Sequence, residues 1–208
     1  MREPRRPDTN AVRTPSLASR ALDDLRYIRS TMERAGERAV GFTLLPGWGG
    51  VLMGAVAFAA SFTAARTTDP RDWVLTWLGA AGIAALVGTT DMARKAAETR
   101  TSLLRGPALR FVTSLIAPFA VAALLSIVLY KHGMYSDLPG LWLLSYGAGT
   151  IAAGAFSVRA VRYMGLAFML LGVVALFAPA SWGDACMALG FGGFHVLFGL
   201  WITRHHDG

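Results

Sequence analysis

Long apolar stretches separated by short polar clusters dominate the chain after residue 43. A helix needs roughly 20 apolar residues to cross a hydrocarbon core of about 30 Å. Six stretches approach that length: residues 44–64, 73–90, 109–130, 138–157, 161–178 and 185–203. The pattern predicts an all-α, polytopic membrane helix bundle with six transmembrane helices over residues 43–208, preceded by an N-terminal extension, residues 1–42.

The extension carries a different pattern, in which apolar residues recur every three or four positions between Ser16 and Gly36. They are Leu17, Ala21, Leu25, Ile28, Met32 and Ala35. This spacing predicts a cytoplasmic amphipathic helix, because it draws one stripe on a helix surface. The candidate partner-binding residues on the stripe are Leu25, Ile28 and Met32. The stripe could instead pack against the predicted cytoplasmic loop 93–110 or lie on the bilayer, although acids nearly balance the arginines on its polar face.

Charge gives the predicted bundle an orientation. Only 16% of the residues are charged and 54% are hydrophobic, whereas soluble domains carry roughly 25% charged residues. With the N-terminus in the cytoplasm, 17 of the 20 basic residues fall on the cytoplasmic side, and only Arg66, Arg71 and Lys131 lie outside. Basic flanks are retained in the cytoplasm, so both termini are expected there, in a bacterial-type inner membrane. The charge of +7 therefore does not indicate nucleic-acid binding.

The usual catalytic and metal-binding motifs are absent from the sequence. There is no Walker loop, HExxH, GxSxG or pair of carboxylates on one helix face. The single Cys186 has no thiol partner within the chain for a disulfide or a metal site. No Asp, Glu, Lys or Arg falls near the middle of a predicted span, which argues against a proton-coupled carrier. We expect a protein that is not an enzyme and holds no metal.

His195 is the one histidine near the middle of a predicted span, in Gly190-Phe-Gly-Gly-Phe-His195. An imidazole there could be an axial ligand to a haem or chlorin, a proton-relay group or a hydrogen-bonded packing element. A low-spin haem wants a second axial ligand, and no other span offers a central histidine. We therefore favour packing and keep His195 as a candidate cofactor-binding residue.

Small residues recur at spacings that allow transmembrane helices to approach closely. The candidate packing positions are Gly50, Gly54, Gly149, Gly192 and Gly199. They are expected to mediate packing within the bundle or self-association into a homo-oligomer.

Aromatic residues mark the ends of the spans and suggest an internal repeat. Tryptophans near predicted span ends are Trp48, Trp73, Trp142, Trp182 and Trp201, and such residues commonly anchor helices at the membrane interface. The segment Trp73-Val-Leu-Thr-Trp77 resembles Trp142-Leu-Leu-Ser-Tyr146, and Gly/Ala-rich sequence follows both. Duplication of a helical hairpin is one explanation, and the low complexity of Ala/Gly-rich helices is the other.

Two segments resemble a family of uncharacterised bacterial multi-pass membrane proteins. They are Leu22 to Gly36 leading into Pro46-Gly-Trp-Gly-Gly50, and the last span from Gly190 through Phe198-Gly199. The resemblance implies a topology and no activity. From the residues themselves we expect an accessory or regulatory membrane subunit that acts through protein contacts. The alternatives are a small oligomeric transporter or channel, and a haem- or pigment-binding bundle.

Overall fold

A computed structural model of the chain describes residues 23–30, 47–98 and 106–206, which are almost entirely helical and contain no strand. The chain divides into two compact units, Met1–Arg38 and Ala39–Gly208. The prediction of an all-α protein is confirmed.

In the first unit, residues 23–30 form a helix. Leu25 is 62% exposed and Ile28 is 51% exposed, and an ion pair of 3.3 Å links Arg26 to Asp23. The rest of the predicted helix, including Met32, lies outside the described residues. The predicted N-terminal amphipathic helix is therefore not confirmed.

The described residues of the second unit form six main helices, here named α1 to α6. They are α1 (Gly47–Ala64), α2 (Pro70–Glu98), α3 (Gly106–Lys131), α4 (Leu138–Ala153), α5 (Arg159–Phe177) and α6, which joins Gly183–Met187, Ala188–Phe194 and His195–His206. The middle section of α6 is a π-helix. Pro70 suits the first turn of α2, where no intrahelical N–H bond is lost, and Gly133 with φ of 73° ends the turn after α3.

Five helices in the described part of the chain are long and apolar enough to cross a membrane, which indicates a multi-pass membrane protein. They are Gly47–Ala64, Pro70–Glu98, Leu109–Lys131, Arg159–Phe177 and Ala180–His205. The fourth predicted span does not reach this length, because α4 has 16 residues. Its helix gives way to a 3-10 turn at Gly154–Phe156, and Ser157 is extended. The prediction of six spans is thus confirmed for five.

Helices α1 and α6 run antiparallel and approach closely through glycines. Gly47 lies against Thr203, Gly50 against Gly199 and Gly54 against Gly192. A Cβ atom added to Gly54 would lie 2.7 Å from the Gly192 carbonyl oxygen, so a larger residue has no room there. The start of α1 and the end of α6 are therefore neighbours.

Helices α4 and α5 are also antiparallel and in contact along their length. Gly140 lies against Leu176, Gly147 against Gly165 and Gly154 against Arg162. On the other side of α4, Gly149 lies against Leu115 of α3. All five glycines singled out from the sequence thus lie at contacts between helices of the same chain.

Helices α2 and α3 present the most exposed apolar surface. Buried residues make up 17% of the most apolar stretch of α2 and none of that of α3. On α2, a Cβ atom added to Gly79 or Gly82 would have no neighbouring atom within 4 Å. The bundle therefore leaves these two helix faces to lipid or to another protein.

Candidate functional site

His195 lies in the interior of the bundle, 6% exposed, at the point where the π-helical section of α6 returns to α-helix. Its Nε2 is 2.7 Å from the hydroxyl of Tyr146 on α4. Its Nδ1 is 2.9 Å from the backbone carbonyl oxygen of Phe191, one turn earlier. The only titratable side chain among the buried polar residues described is thus hydrogen-bonded at both ring nitrogens.

The geometry fixes which nitrogen donates. A carbonyl oxygen can only accept, so Nδ1 of His195 donates to Phe191, and in the neutral ring Nε2 then accepts from the Tyr146 hydroxyl. The backbone N–H of His195 bonds to the carbonyl oxygen of Gly192. The two side-chain hydrogen bonds together orient the imidazole towards α4.

Aromatic rings surround this pair. The ring centroid of Tyr146 is 4.6 Å from that of Phe168 on α5 and 5.1 Å from that of Phe191. Phe168 meets His195 edge-on at 5.4 Å and is itself fully buried. Phe119 of α3 stacks on Tyr146 at 6.0 Å. Aromatic rings from α3, α4, α5 and α6 thus fill the space between these four helices. Edge-to-face contacts between such rings stabilise a packed core.

The residues around His195 do not fit a haem or chlorin. Binding through Nε2 would displace the Tyr146 hydroxyl, which lies 2.7 Å from that nitrogen. The glycines that could admit a flat ring face other groups: Gly190 faces Leu143, and Gly192 faces Phe58 of α1. The arrangement favours the interpretation of His195 as a packing element.

A second aromatic group lies one to two turns away, towards the start of α2 and α4. Trp73 stacks on Trp142 with centroids 5.4 Å apart. The Trp73 indole N–H donates to Asp184 at 2.6 Å, and that of Trp142 donates to Ser126 at 2.7 Å. Both tryptophans, which the sequence predicts to be interfacial anchors, join helices within the bundle.

The remaining tryptophans divide between surface and core. Trp48 and Trp182 are exposed, as expected for anchors, and Trp201 stacks on Tyr163 at 6.3 Å. Trp77 is 4% exposed, and its Nε1 is the one buried side-chain nitrogen or oxygen in the described residues without a hydrogen-bond partner.

The two similar sequence segments meet in space. Trp73 and Trp142 hold equivalent positions in them and stack on each other. Trp77 and Tyr146 are also equivalent, and both contact Phe191, at 6.1 Å and 5.1 Å. The sequence similarity predicted neither these contacts nor the hydrogen bond between Tyr146 and His195.

The described residues form no metal site, and the remaining candidates from the sequence are Cys186 and the N-terminal stripe. Across residues 23–30, 47–98 and 106–206, no three His, Cys, Asp or Glu side chains form a group that could hold a metal ion. Cys186 is buried. Leu25 and Ile28 are exposed within their own unit, as a partner-binding surface requires.

Comparison of the chain with protein-family models, with curated proteins and with solved structures gives no match. The resemblance to bacterial multi-pass membrane proteins therefore has no support from these comparisons, and function must be argued from the residues alone.

Proposed function

We propose that the chain crosses a bacterial inner membrane six times, with both termini in the cytoplasm. The start of α1 lies beside the end of α6, and two ends on the same side require an even number of crossings. The segment of α4 and the 3-10 turn after it contacts α5 from Leu176, opposite Gly140, to Arg162, opposite Gly154. This segment therefore extends along nearly the whole of α5, which is long enough to cross a membrane. The distribution of 17 of the 20 basic residues supports the cytoplasmic location of the ends.

Within this topology, we propose a non-enzymatic accessory or regulatory subunit that acts by contact with another membrane protein. Its described interior supports this function better than transport, because aromatic rings close the space around Tyr146 and His195. A transport pathway would need polar groups along its length. The buried polar residues described are Ser61, Thr150, Ser157 and His195.

The observation that carries the proposal is the open glycine face of α2. Gly79 and Gly82 lie one turn apart on the outer surface, with no atom near either Cβ position. Leu75, Leu78 and Leu86 are exposed around them, so the glycines form a depression between larger side chains. Helices associate in lipid by close packing at such small residues. The partner that fits is an apolar transmembrane helix of another protein, since no charged residue lies between Trp73 and Thr90.

The double substitution Gly79→Leu with Gly82→Leu tests this function. The bundle should stay folded, because no atom of the described residues lies within 4 Å of a Cβ atom at either position. Co-purification of the partner from membranes solubilised in mild detergent should be lost. The matched control is Ala120→Leu with Ala123→Leu, two exposed residues at the same spacing on α3, which should leave the composition unchanged.

The mass of the purified complex shows whether the α2 face binds a different subunit or a second copy of this chain. Loss of a different subunit supports the proposal, whereas a fall from an oligomer of this chain to a monomer assigns the face to self-association. Unchanged composition and mass after the glycine substitutions would contradict the function proposed.

A further inference from the structure

A pocket of about 200 Å³ opens at the end of the bundle where three helix connections meet. The connection between α1 and α2 contributes Thr67 and Asp69, and that between α3 and α4 contributes Tyr135 and Ser136. The connection between α5 and α6 contributes Ala180, and Asp184 follows at the start of α6. Trp73 of α2 forms part of its wall. The pocket is smaller than the roughly 300–1,000 Å³ of drug-sized sites, so it suits a ligand of few atoms.

The charged side chains that line the pocket are all acidic. Asp69 and Asp184 are its two ionisable carboxylates, and no Lys, Arg or His lines it. In the described part of the chain, neither carboxylate has an ion-pair partner. Asp184 accepts from the Trp73 indole at 2.6 Å, and Asp69 accepts from the backbone N–H of Arg71 at 2.8 Å, in both cases through Oδ1. These bonds hold the carboxylates in place without neutralising them.

Two aromatic rings complete the lining. Trp73 is held by its stack on Trp142, and Tyr135 is held edge-on against Tyr130 at 5.1 Å. Held carboxylates combined with indole and phenol rings are the groups that recognise organic ammonium ions, through ion pairing and cation–π attraction. A bare metal ion suits the site less, because the described residues provide no third carboxylate, histidine or cysteine ligand.

We propose that this pocket binds a small organic ammonium group, which Asp184 and Asp69 pair with and the rings of Trp73 and Tyr135 enclose. Such a group is carried by soluble amines and by the headgroup of phosphatidylethanolamine. Binding at this pocket is independent of the contact proposed for α2.

Choline is the probe for the first experiment, in which the full-length protein in neutral detergent is titrated by isothermal calorimetry. We expect saturable binding to the wild type. Asp184→Asn keeps an oxygen for the Trp73 indole but removes the charge, and should weaken binding by about tenfold or more. Asp69→Asn should act in the same direction. The control is Asp72→Asn, which removes the same charge from an exposed residue in the first turn of α2 and should bind as the wild type does.

Nanodiscs identify the source of the ammonium group. One set contains phosphatidylethanolamine, and in the other a neutral glycolipid replaces it at constant surface charge. If choline binds more weakly in the nanodiscs that contain phosphatidylethanolamine, the lipid headgroup competes for the pocket and is its ligand. If choline binds equally in both sets, the ligand is a soluble amine. Both results support the proposal that the pocket binds an ammonium group. No saturable binding in detergent or nanodiscs, or equal binding by Asp184→Asn and the wild type, would overturn it.

Discussion

The substitution Gly54→Ala should destabilise the bundle at the contact between α1 and α6. The added Cβ would lie 2.6 Å from Val196 Cγ2, 2.7 Å from the Gly192 carbonyl oxygen and 3.0 Å from the Val196 backbone nitrogen. Two of these three atoms belong to the backbone of α6, so rotation of a side chain cannot relieve the overlap. Overpacking of this kind costs about 1–3 kcal/mol, which opposes the gain in helix propensity on replacing glycine.

Gly82→Ala is the matched control, because it makes the same chemical change where no atom lies within 4 Å. Helix propensity alone should then stabilise the protein, by up to about 1 kcal/mol. The assay is reversible unfolding in mixed micelles, followed by circular dichroism, for the purified chain without partners. Equal stability of Gly54→Ala and Gly82→Ala would refute the close approach of α1 to α6.

Two further predictions concern the bundle core and the N-terminal unit. His195→Asn should leave assembly intact and cost about 1 kcal/mol or less, because hydrogen bonds between helices in membranes average about 0.6 kcal/mol; a visible Soret or chlorin band in the wild type that the variant lacks would disprove the packing role. Leu25→Asp with Ile28→Asp should leave membrane insertion unchanged, since the spans are untouched, and abolish association with a co-purifying partner; unchanged subunit composition in a pull-down would show that this stripe is not a docking surface.

The long apolar runs predicted the helices well because hydropathy reports directly on burial in lipid. The residues at which the helices end were less predictable. The second span was expected to stop at Thr90, but α2 continues to Glu98. Hydropathy marks only the apolar part of a helix, and residues 91–98 include four charged side chains. The fourth was expected to reach Ser157, but the α-helix ends at Ala153 where the backbone tightens into a 3-10 turn.

The core contacts were only partly predictable. His195 was identified from the sequence, but its partner Tyr146 lies 49 residues away on another helix. Lipid and protein faces of a transmembrane helix are both apolar, so hydrophobic periodicity does not say which face meets which neighbour. The π-helix before His195 was not predicted either, although three glycines between Ala188 and Phe194 give that section unusual backbone freedom. The glycines singled out by their spacing lie at contacts between helices, but the spacing could not identify the opposing helix.

The most direct test of the proposed topology is the location of reporters fused to the full-length chain. A reporter that is active only in the cytoplasm should be active after Gly208, and a periplasmic reporter should be active when inserted near Asp69, between α1 and α2. A third fusion in the α4–α5 connection, after Ser157, should report the cytoplasm, because α4 must cross for the start of α1 and the end of α6 to share a side. Periplasmic activity after Ser157 or after Gly208 would contradict a bundle that crosses the membrane six times.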